Sequence, residues 1–309
     1  MLKVFVTGAS GCVGSYLVDL LAPDYELYLL VRNPGKLKFD PGKWPAVHII
    51  RGDMDAIGEQ AGLLAKMDYC IHVATAWGGE GTERINVDRA HQMFDLLNPA
   101  RVKRIIYFST ASILGRGNQL LPEAGKYGTD YIKTKYKCYV HLPERKLYER
   151  IVTVFPTLVF GGDASHPFPH FGSDVAAIRR LSWLIGRLNV PVKFHFIHAQ
   201  DIAKIVRYLM EQPEVKANYV MGNEPLTFGE FAKRLAHFFG HPARWQIKIQ
   251  PQGILKLAKV LRVKMDDWSR FCAGYGDFVY KTVNCRSLGL DSNYDTVEKL
   301  LADWKEKKR

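Results

Sequence analysis

The sequence predicts an α/β fold: a doubly wound parallel sheet with a smaller, interleaved, mostly helical C-terminal domain. Two observations predict it. Across the first 160 residues, short apolar runs alternate with segments of helical period. The runs lack the alternating polar positions of a strand with one wet face, so helices must cover both sides of the sheet.

The elements follow in order. Leu2–Thr7 is a compact apolar run that meets Gly8, after which Val13, Leu17, Leu20 and Leu21 recur at helical spacing. Strand candidates are Glu26–Arg32, Val47–Arg51, Tyr69–Ala74, Arg104–Ser109 and Ile151–Phe155. Helical patterns lie between most of them, including Arg84–Leu97 and a long one from Tyr127 to Glu149. Beyond Phe160 the pattern loosens into loop, with one helix around Val175–Leu188. Phe194–His198, Asp201–Met210 and Tyr219–Met221 then read as a strand–helix–strand unit. Past Leu226 the patterns are helical: Phe228–Phe239, Ile254–Leu261 and Thr296–Trp304. With no repeat, low-complexity segment or flexible linker, the two domains are expected to be interwoven. Residues 1–160 with 194–222 form the sheet domain, and 161–193 with 223–309 form the other.

The composition is that of a globular chain: 309 residues, 47% hydrophobic and 24% charged. Lys and Arg outnumber Asp and Glu by 43 to 31, an excess of 12 that points to an anionic partner without choosing its class. The cations read as scattered apart from the tail Lys305–Arg309, and no aromatic-interleaved basic stripe or zinc-finger spacing supports nucleic acid. Cys12, Cys70, Cys138, Cys272 and Cys285 form no CxxC pair and read as reduced thiols of a cytoplasmic protein. The chain starts on an apolar strand, so no signal peptide is expected. Its longest apolar stretch, Ile151–Phe160, is shorter than the ~20 residues of a spanning helix, so no stable membrane insertion is expected.

The segment Thr7-Gly8-Ala9-Ser10-Gly11-Cys12-Val13-Gly14 ends the first strand and opens the first helix. Glycines there allow a tight turn and a close backbone approach, and the helix start offers free N–H groups to a pyrophosphate. The spacing G-x-x-G-x-x-G in this context makes residues 1–160 a dinucleotide-binding (Rossmann) domain. The end of the second strand distinguishes the cofactors: an acid there would hold a ribose 2′-hydroxyl, whereas this chain reads Leu30-Val31-Arg32-Asn33. A guanidinium matches a 2′-phosphate in charge and fork geometry, so NADP(H) is expected ahead of NAD. For Lys36 and Lys38 a solvated surface position is the better reading.

These motifs resemble the extended short-chain dehydrogenase/reductase family. It combines the same glycine turn with a Tyr-x-x-x-Lys pair and a Ser/Thr after the fifth strand. Asp53-Met54 resembles its adenine-holding acidic-apolar pair. Val73-Ala74-Thr75-Ala76 resembles the end of its fourth strand, and Asn86-Val87 the start of the following helix. In Ser109-Thr110-Ala111-Ser112, Thr110 falls at the family's catalytic hydroxyl, and Tyr131-Ile132-Lys133-Thr134-Lys135 supplies the pair. Phe155-Pro156-Thr157 and Phe196-Ile197-His198 match later landmarks. The resemblance implies cofactor contacts from Gly8, Ser10, Gly11, Cys12, Val13, Gly14, Arg32, Asp53, Met54, Val73, Ala74, Thr75, Tyr131, Lys135 and Pro156. Many relatives pair through the helices carrying the Tyr and Lys, so it also implies a possible homodimer.

The residues make chemical sense by themselves. Tyr131 and Lys135, four apart, share one helix face. A phenol of pKa ~10 is a poor base at neutral pH, and a nearby ammonium is expected to lower that value. Carbonyl reduction needs a hydride donor and a proton donor; Tyr131 would move the proton, Thr110 would bind the substrate oxygen and Lys135 would hold the nicotinamide ribose. With 15 tyrosines the Tyr-x-x-x-Lys spacing alone is a chance pattern, and its register with the glycine turn gives it weight.

His72 and His198 read as structural and Cys12 as a small filler, while the loop His166–Phe171 is equally a pocket wall or an ordinary aromatic loop. No acid–histidine spacing suggests a metal. The sugar-nucleotide branch of the family usually places Arg shortly before the Ile-His landmark and Asn near the Pro landmark; Phe194 and Phe155-Pro156-Thr157 stand there instead. Phe228, Phe231, Phe238, Phe239, Trp245, Trp268, Phe271 and Tyr275 offer core or an apolar pocket. The expected reaction is hydride transfer between NADP(H) and a moderately hydrophobic alcohol/carbonyl substrate. The alternative is a nucleotide-sugar epimerase or dehydratase, with lysines or His195 holding the diphosphate. A third reading, a cofactor-binding scaffold without turnover, fits poorly with retention of both Tyr131 and Lys135. The basic amphipathic segment Ile254–Arg262 reads as a packed domain helix before a membrane-surface one.

Overall fold

A computed structural model describes residues 1–169, 175–190, 192–250, 253 and 265–306. Its centre is a seven-stranded parallel sheet. The strands are β1 (Lys3–Thr7), β2 (Glu26–Val31), β3 (Val47–Arg51), β4 (Tyr69–His72), β5 (Arg104–Phe108), β6 (Ile151–Pro156) and β7 (Asn218–Met221). They lie in the order β7-β6-β5-β4-β1-β2-β3, so the winding reverses between β1 and β4 and opens a crevice at their carboxyl ends.

The strands are apolar because both faces are covered. On one side Val4, Val6, Leu27, Ile71 and Ile106 pack under helices Cys12–Leu21 and Ala199–Glu211. On the other, Phe5, Cys70 and Ile105 pack against Ile57, Met93, Phe94 and Cys138. A third cluster, around Phe160, Phe196, Leu235 and Leu301, holds helices Phe228–Phe238 and Val297–Glu306 together.

Three sequence expectations need correction. The long helix expected from Tyr127 to Glu149 is only Asp130–Val140, followed by single turns at Leu142–Glu144 and Tyr148–Arg150. Thr129 caps its start, and Pro143 brings no N–H to continue it and restricts Leu142 before it. The strand expected at Phe194–His198 is two pieces outside the large sheet. Lys193–Phe194 pairs antiparallel with Leu226–Thr227, and Phe196–His198 parallel with Leu158–Phe160. Arg84–Leu97 divides into a π-helical segment Arg84–Arg89 and a helix Ala90–Asp95. The segment Ile254–Leu261 lies outside the described residues. Among the described residues no helix is long and apolar enough to cross a membrane, and all five cysteines are free thiols.

Candidate active site

The glycine turn follows the carboxyl end of β1 and lines the crevice there. Gly8 has φ +80°, and a Cβ there would stand 2.7 Å from the Ala74 nitrogen, so a side chain would push β1 away from the chain leaving β4. A Cβ at Gly14 would lie 2.1 Å from the Gly8 oxygen, so this position lets the first helix sit directly on the turn. Gly11 is exposed at the helix N-cap and donates its N–H to the Gly8 carbonyl over 3.0 Å. Ser10 and Val13 are half-buried beside it, and the Cys12 thiol packs toward Gly161. The N–H groups of a first helical turn have no carbonyl of their own helix, and here they stand at the switch point of the sheet. That cradle, which a methyl group would fill, fits a dinucleotide phosphate.

Arg32 follows β2 directly and is exposed. Asp53 follows β3 and caps the turn Met54–Gln60 by accepting from the Asp55 N–H at 2.8 Å, while Met54 is buried. These residues occupy the β2–β3 side of the crevice. Val73, Ala74 and Thr75 continue from β4 at its middle, half-buried, with Ala74 N–H donating to Thr7 Oγ1 at 3.3 Å. Pro156 ends β6 on the opposite side.

Beside β5 the structure brings Thr110, Tyr131 and Lys135 together. The Lys135 side chain is fully enclosed, 1% exposed, and its Nζ donates to the Phe108 carbonyl at 2.7 Å. It sits 5.1 Å from the Tyr107 ring centre and 6.0 Å from that of Tyr131. Burial lowers its pKa to about 8. Thr110 is buried at the end of β5 and accepts the Ser112 N–H at 3.3 Å. Burial pushes the Tyr131 phenol up to about 12, against the opposing effect of a hydrogen bond with Thr110. The lowering expected from the Lys135 ammonium is not what sets this phenol: desolvation of the phenolate is the largest influence, and the Thr110 hydrogen bond is the one that opposes it.

Two residues that the motifs did not mark as functional complete this corner. The Trp77 indole stacks on the Tyr131 ring, with centroids 4.4 Å apart and planes 28° apart, and keeps half its surface exposed. It precedes Gly78, Gly79 and Gly81, all at positive φ, and the Gly79 N–H reaches the Asp130 carboxylate at 3.4 Å. Asn86, 1% exposed, accepts the Ala76 N–H at 2.8 Å, donates to the Ala76 carbonyl at 2.8 Å and donates to Thr134 Oγ1 at 2.9 Å. It thereby ties the end of β4 to the helix bearing Tyr131. The Asn86-Val87 landmark was the available signal for Asn86, although it carried no role; a lone Trp before glycines gave none.

The aromatic residues of the C-terminal half divide by position. Phe231, Phe238 and Phe239 pack into the third cluster as core, and Trp245 is exposed. Trp268, Phe271 and Tyr275, with Phe278 and Tyr280, pack with Ala111, Ile113, Leu114 and Tyr131. The Tyr280 hydroxyl donates to the Ala111 carbonyl at 2.9 Å, locking that aromatic group onto the Thr110 turn. His195 is 3% exposed, and both ring nitrogens are engaged. Nδ1 donates to the Asn223 carbonyl at 2.7 Å, and Nε2 accepts from the Tyr280 N–H at 3.0 Å. That pattern requires the neutral ring, and burial lowers its pKa further. His72 is likewise buried, with Nδ1 2.8 Å from Thr7 Oγ1, and His198 caps helix Ala199–Glu211 and stacks on Tyr294 at 3.6 Å. Among the described residues no group of His, Cys, Asp and Glu could hold a metal ion.

The sequence profile of the NAD dependent epimerase/dehydratase family matches residues 4–222, most of the chain and every strand of the large sheet but for the first residue of β1. The chain belongs to this family. Members of this family and its extended short-chain dehydrogenase/reductase relatives are NAD(P)-dependent enzymes, and this chain is one of them. Dihydroflavonol 4-reductase of Hordeum vulgare is 24% identical over 269 residues, covering 76% of this chain and 75% of that one. The same enzyme of Zea mays is 25% identical, covering 75% and 73%. Among solved structures, a UDP-N-acetylglucosamine 4-epimerase from Methanobrevibacter ruminantium M1, in complex with UDP-N-acetylmuramic acid, superimposes with TM-score 0.67. It is 16% identical over 99% of this chain and 98% of its own. A dTDP-glucose 4,6-dehydratase from Bacillus anthracis, in complex with NAD, gives TM-score 0.65 at 12% identity, covering 100% and 98%. Those structural matches establish the shared fold.

Proposed function

We propose that this family member is an NADP(H)-dependent oxidoreductase that interconverts a moderately hydrophobic alcohol and its carbonyl compound. The observation that carries the reading is the wall beside Tyr131: Trp77 stacked on it, and Trp268, Phe271 and Tyr275 packed behind the Thr110 turn. The rival substrate class, a nucleotide-sugar diphosphate, needs buried cations or donors. Phe194 is packed into an apolar cluster, and His195 is neutral with both nitrogens already bonded. Neither can hold a diphosphate.

The nicotinamide, when bound, supplies or accepts the hydride. Tyr131 gives a proton to the substrate oxygen in reduction and takes it back in oxidation. Its pKa of about 12 keeps the phenol protonated at neutral pH, the form that donates. Thr110 holds the same oxygen through its hydroxyl. Lys135 keeps an amine available to a ribose hydroxyl while the Phe108 carbonyl fixes its position. Arg32, exposed at the end of β2, would meet a 2′-phosphate, which is the basis for NADP(H) over NAD.

The reading is tested by offering NADPH with a panel of aryl and alkyl aldehydes and ketones, and NAD(P) with UDP- and dTDP-sugars. Reduction of the carbonyl compounds supports it; conversion of sugar nucleotides alone replaces it with the epimerase or dehydratase reading.

A further inference from the structure

The excess positive charge is not scattered, although it looks so along the chain. Residues 175–200 contain four Lys/Arg and no Asp or Glu, and residues 231–265 contain eight and none. Removing these twelve from 43 leaves 31 Lys and Arg against 31 Asp and Glu in the rest of the chain. The whole formal charge of +12 therefore belongs to two acid-free stretches.

Lys256, Lys259, Arg262 and Lys264 lie outside the described residues, and the fold joins the described parts of the two stretches. Ile247–Lys248 pairs with Leu188–Asn189, the Ile247 N–H donates to the Arg187 carbonyl at 2.7 Å, and Gln246 Nε2 donates to the Gly186 carbonyl at 3.0 Å. Where they meet, large apolar side chains face solvent: Trp183 is 49% exposed, Leu184 44%, Trp245 58% and Ile247 56%. Arg180, Trp183, Leu184 and Arg187 follow helical spacing, so cations and apolar groups share one face. The Arg187 guanidinium lies between two indoles, 5.7 Å from the Trp183 ring and 5.5 Å from the Trp245 ring. Arg180, Arg244 and Lys248 are exposed. Among the described residues, the one ion pair these stretches make is Arg234 with Glu298, at 3.5 Å.

We propose that this face binds the surface of a bilayer containing anionic lipids. Tryptophan favours the boundary between head groups and acyl chains, where its ring is apolar and its N–H stays wet. Leu184 and Ile247 gain from acyl contact, while the surrounding guanidinium and ammonium groups meet anionic head groups. Nucleic acid would satisfy the cations and stack on the indoles, but it offers the two aliphatic side chains nothing. A second copy of the same face would bring like charges together. The inference stands on charge placement and exposure alone and is independent of the reaction proposed above.

The test is sedimentation of the full chain with vesicles of phosphatidylcholine alone and of equimolar phosphatidylcholine and phosphatidylserine, alongside random-sequence single- and double-stranded DNA. The expected result is binding to the serine-containing vesicles only, weakening with salt, with a blue shift of tryptophan emission. Each cation near such a surface contributes roughly five-fold, so Arg187→Glu with Arg244→Glu is expected to weaken binding more than tenfold. Trp183→Ser with Trp245→Ser is expected to remove much of the binding and the blue shift, with the melting temperature and catalytic turnover of both variants retained. Absence of vesicle binding, equal binding to neutral vesicles, undiminished binding by the charge-reversed variant, or tighter binding to DNA than to vesicles would each overturn the proposal.

Discussion

The indole of Trp77 covers one face of the Tyr131 phenol, with ring centres 4.4 Å apart. Burial is the largest influence holding that phenol at about 12, and Trp77 is part of the enclosure. Trp77→Ala is expected to let water onto the ring and move its titration back toward the ordinary ~10. In the oxidation direction the alkaline rise of kcat/KM should shift to lower pH, with Trp77→Phe in between. An unchanged profile would show that the stack does not set the phenol's environment.

Lys135 makes a separable prediction about stability. Its folded value of about 8 lies below the ordinary 10.5, so the unfolded chain binds the proton more tightly. Stability from this group is therefore lowest below about 8 and rises as pH climbs toward 10.5. The span is worth on the order of a few kcal/mol. Lys135→Met should flatten that rise in denaturant melts taken across this range, while abolishing turnover. A slope equal to that of the unsubstituted protein would mean that another group carries it.

His166 acts in the opposite sense. Its ring stacks on Tyr16 at 3.7 Å, with Nδ1 2.9 Å from the Asp163 carboxylate and Nε2 2.8 Å from that of Asp19. Burial alone would lower its pKa, but the hydrogen bonds to Asp19 and Asp163 outweigh it and raise the value above 6.5. The contribution is thus fully present below that ordinary value and fades as pH rises through the folded one. His166→Asn should cost most in melting temperature at the acid end of the range from 6.5 upward, and least at the alkaline end. A constant difference would deny the charged clamp between this loop and the first helix.

Arg32 is exposed at the end of β2, on the side of the crevice away from Tyr131. Arg32→Asp should weaken NADPH by ten-fold or more, since a charge-assisted bidentate contact is lost and an anion put in its place. NADH should bind no worse. Equal discrimination before and after the change, read by fluorescence titration, would void the assignment.

Much of this was legible in the residues. The inner strands read as continuous apolar runs because they are buried on both faces, the edge strand β3 is only half-buried, and the observed ends of the first six fall within two residues of those expected. The glycine turn was legible because Gly8 and Gly14 meet steric demands that no other residue meets. The rest depended on tertiary placement. Asp130–Val140 ends early because Pro143 interrupts a pattern whose hydrophobic period runs on. Phe194–His198 is apolar like a sheet strand, yet the His195 bonds to Asn223 and Tyr280 fix a junction between two small pairings. The Tyr131 titration could not be read from its spacing to Lys135, since burial, opposed by the Thr110 hydrogen bond, decides it. Trp77 became significant only when the fold placed it over a residue far along the chain.

The most direct measurement is single-turnover hydride transfer from NADPH to a carbonyl substrate by the unsubstituted protein and by Tyr131→Phe, with cofactor affinity measured in parallel. A positioned proton donor contributes roughly a hundred- to ten-thousand-fold. The account predicts a loss in that range with NADPH binding retained. A rate equal to that of the unsubstituted protein would contradict it.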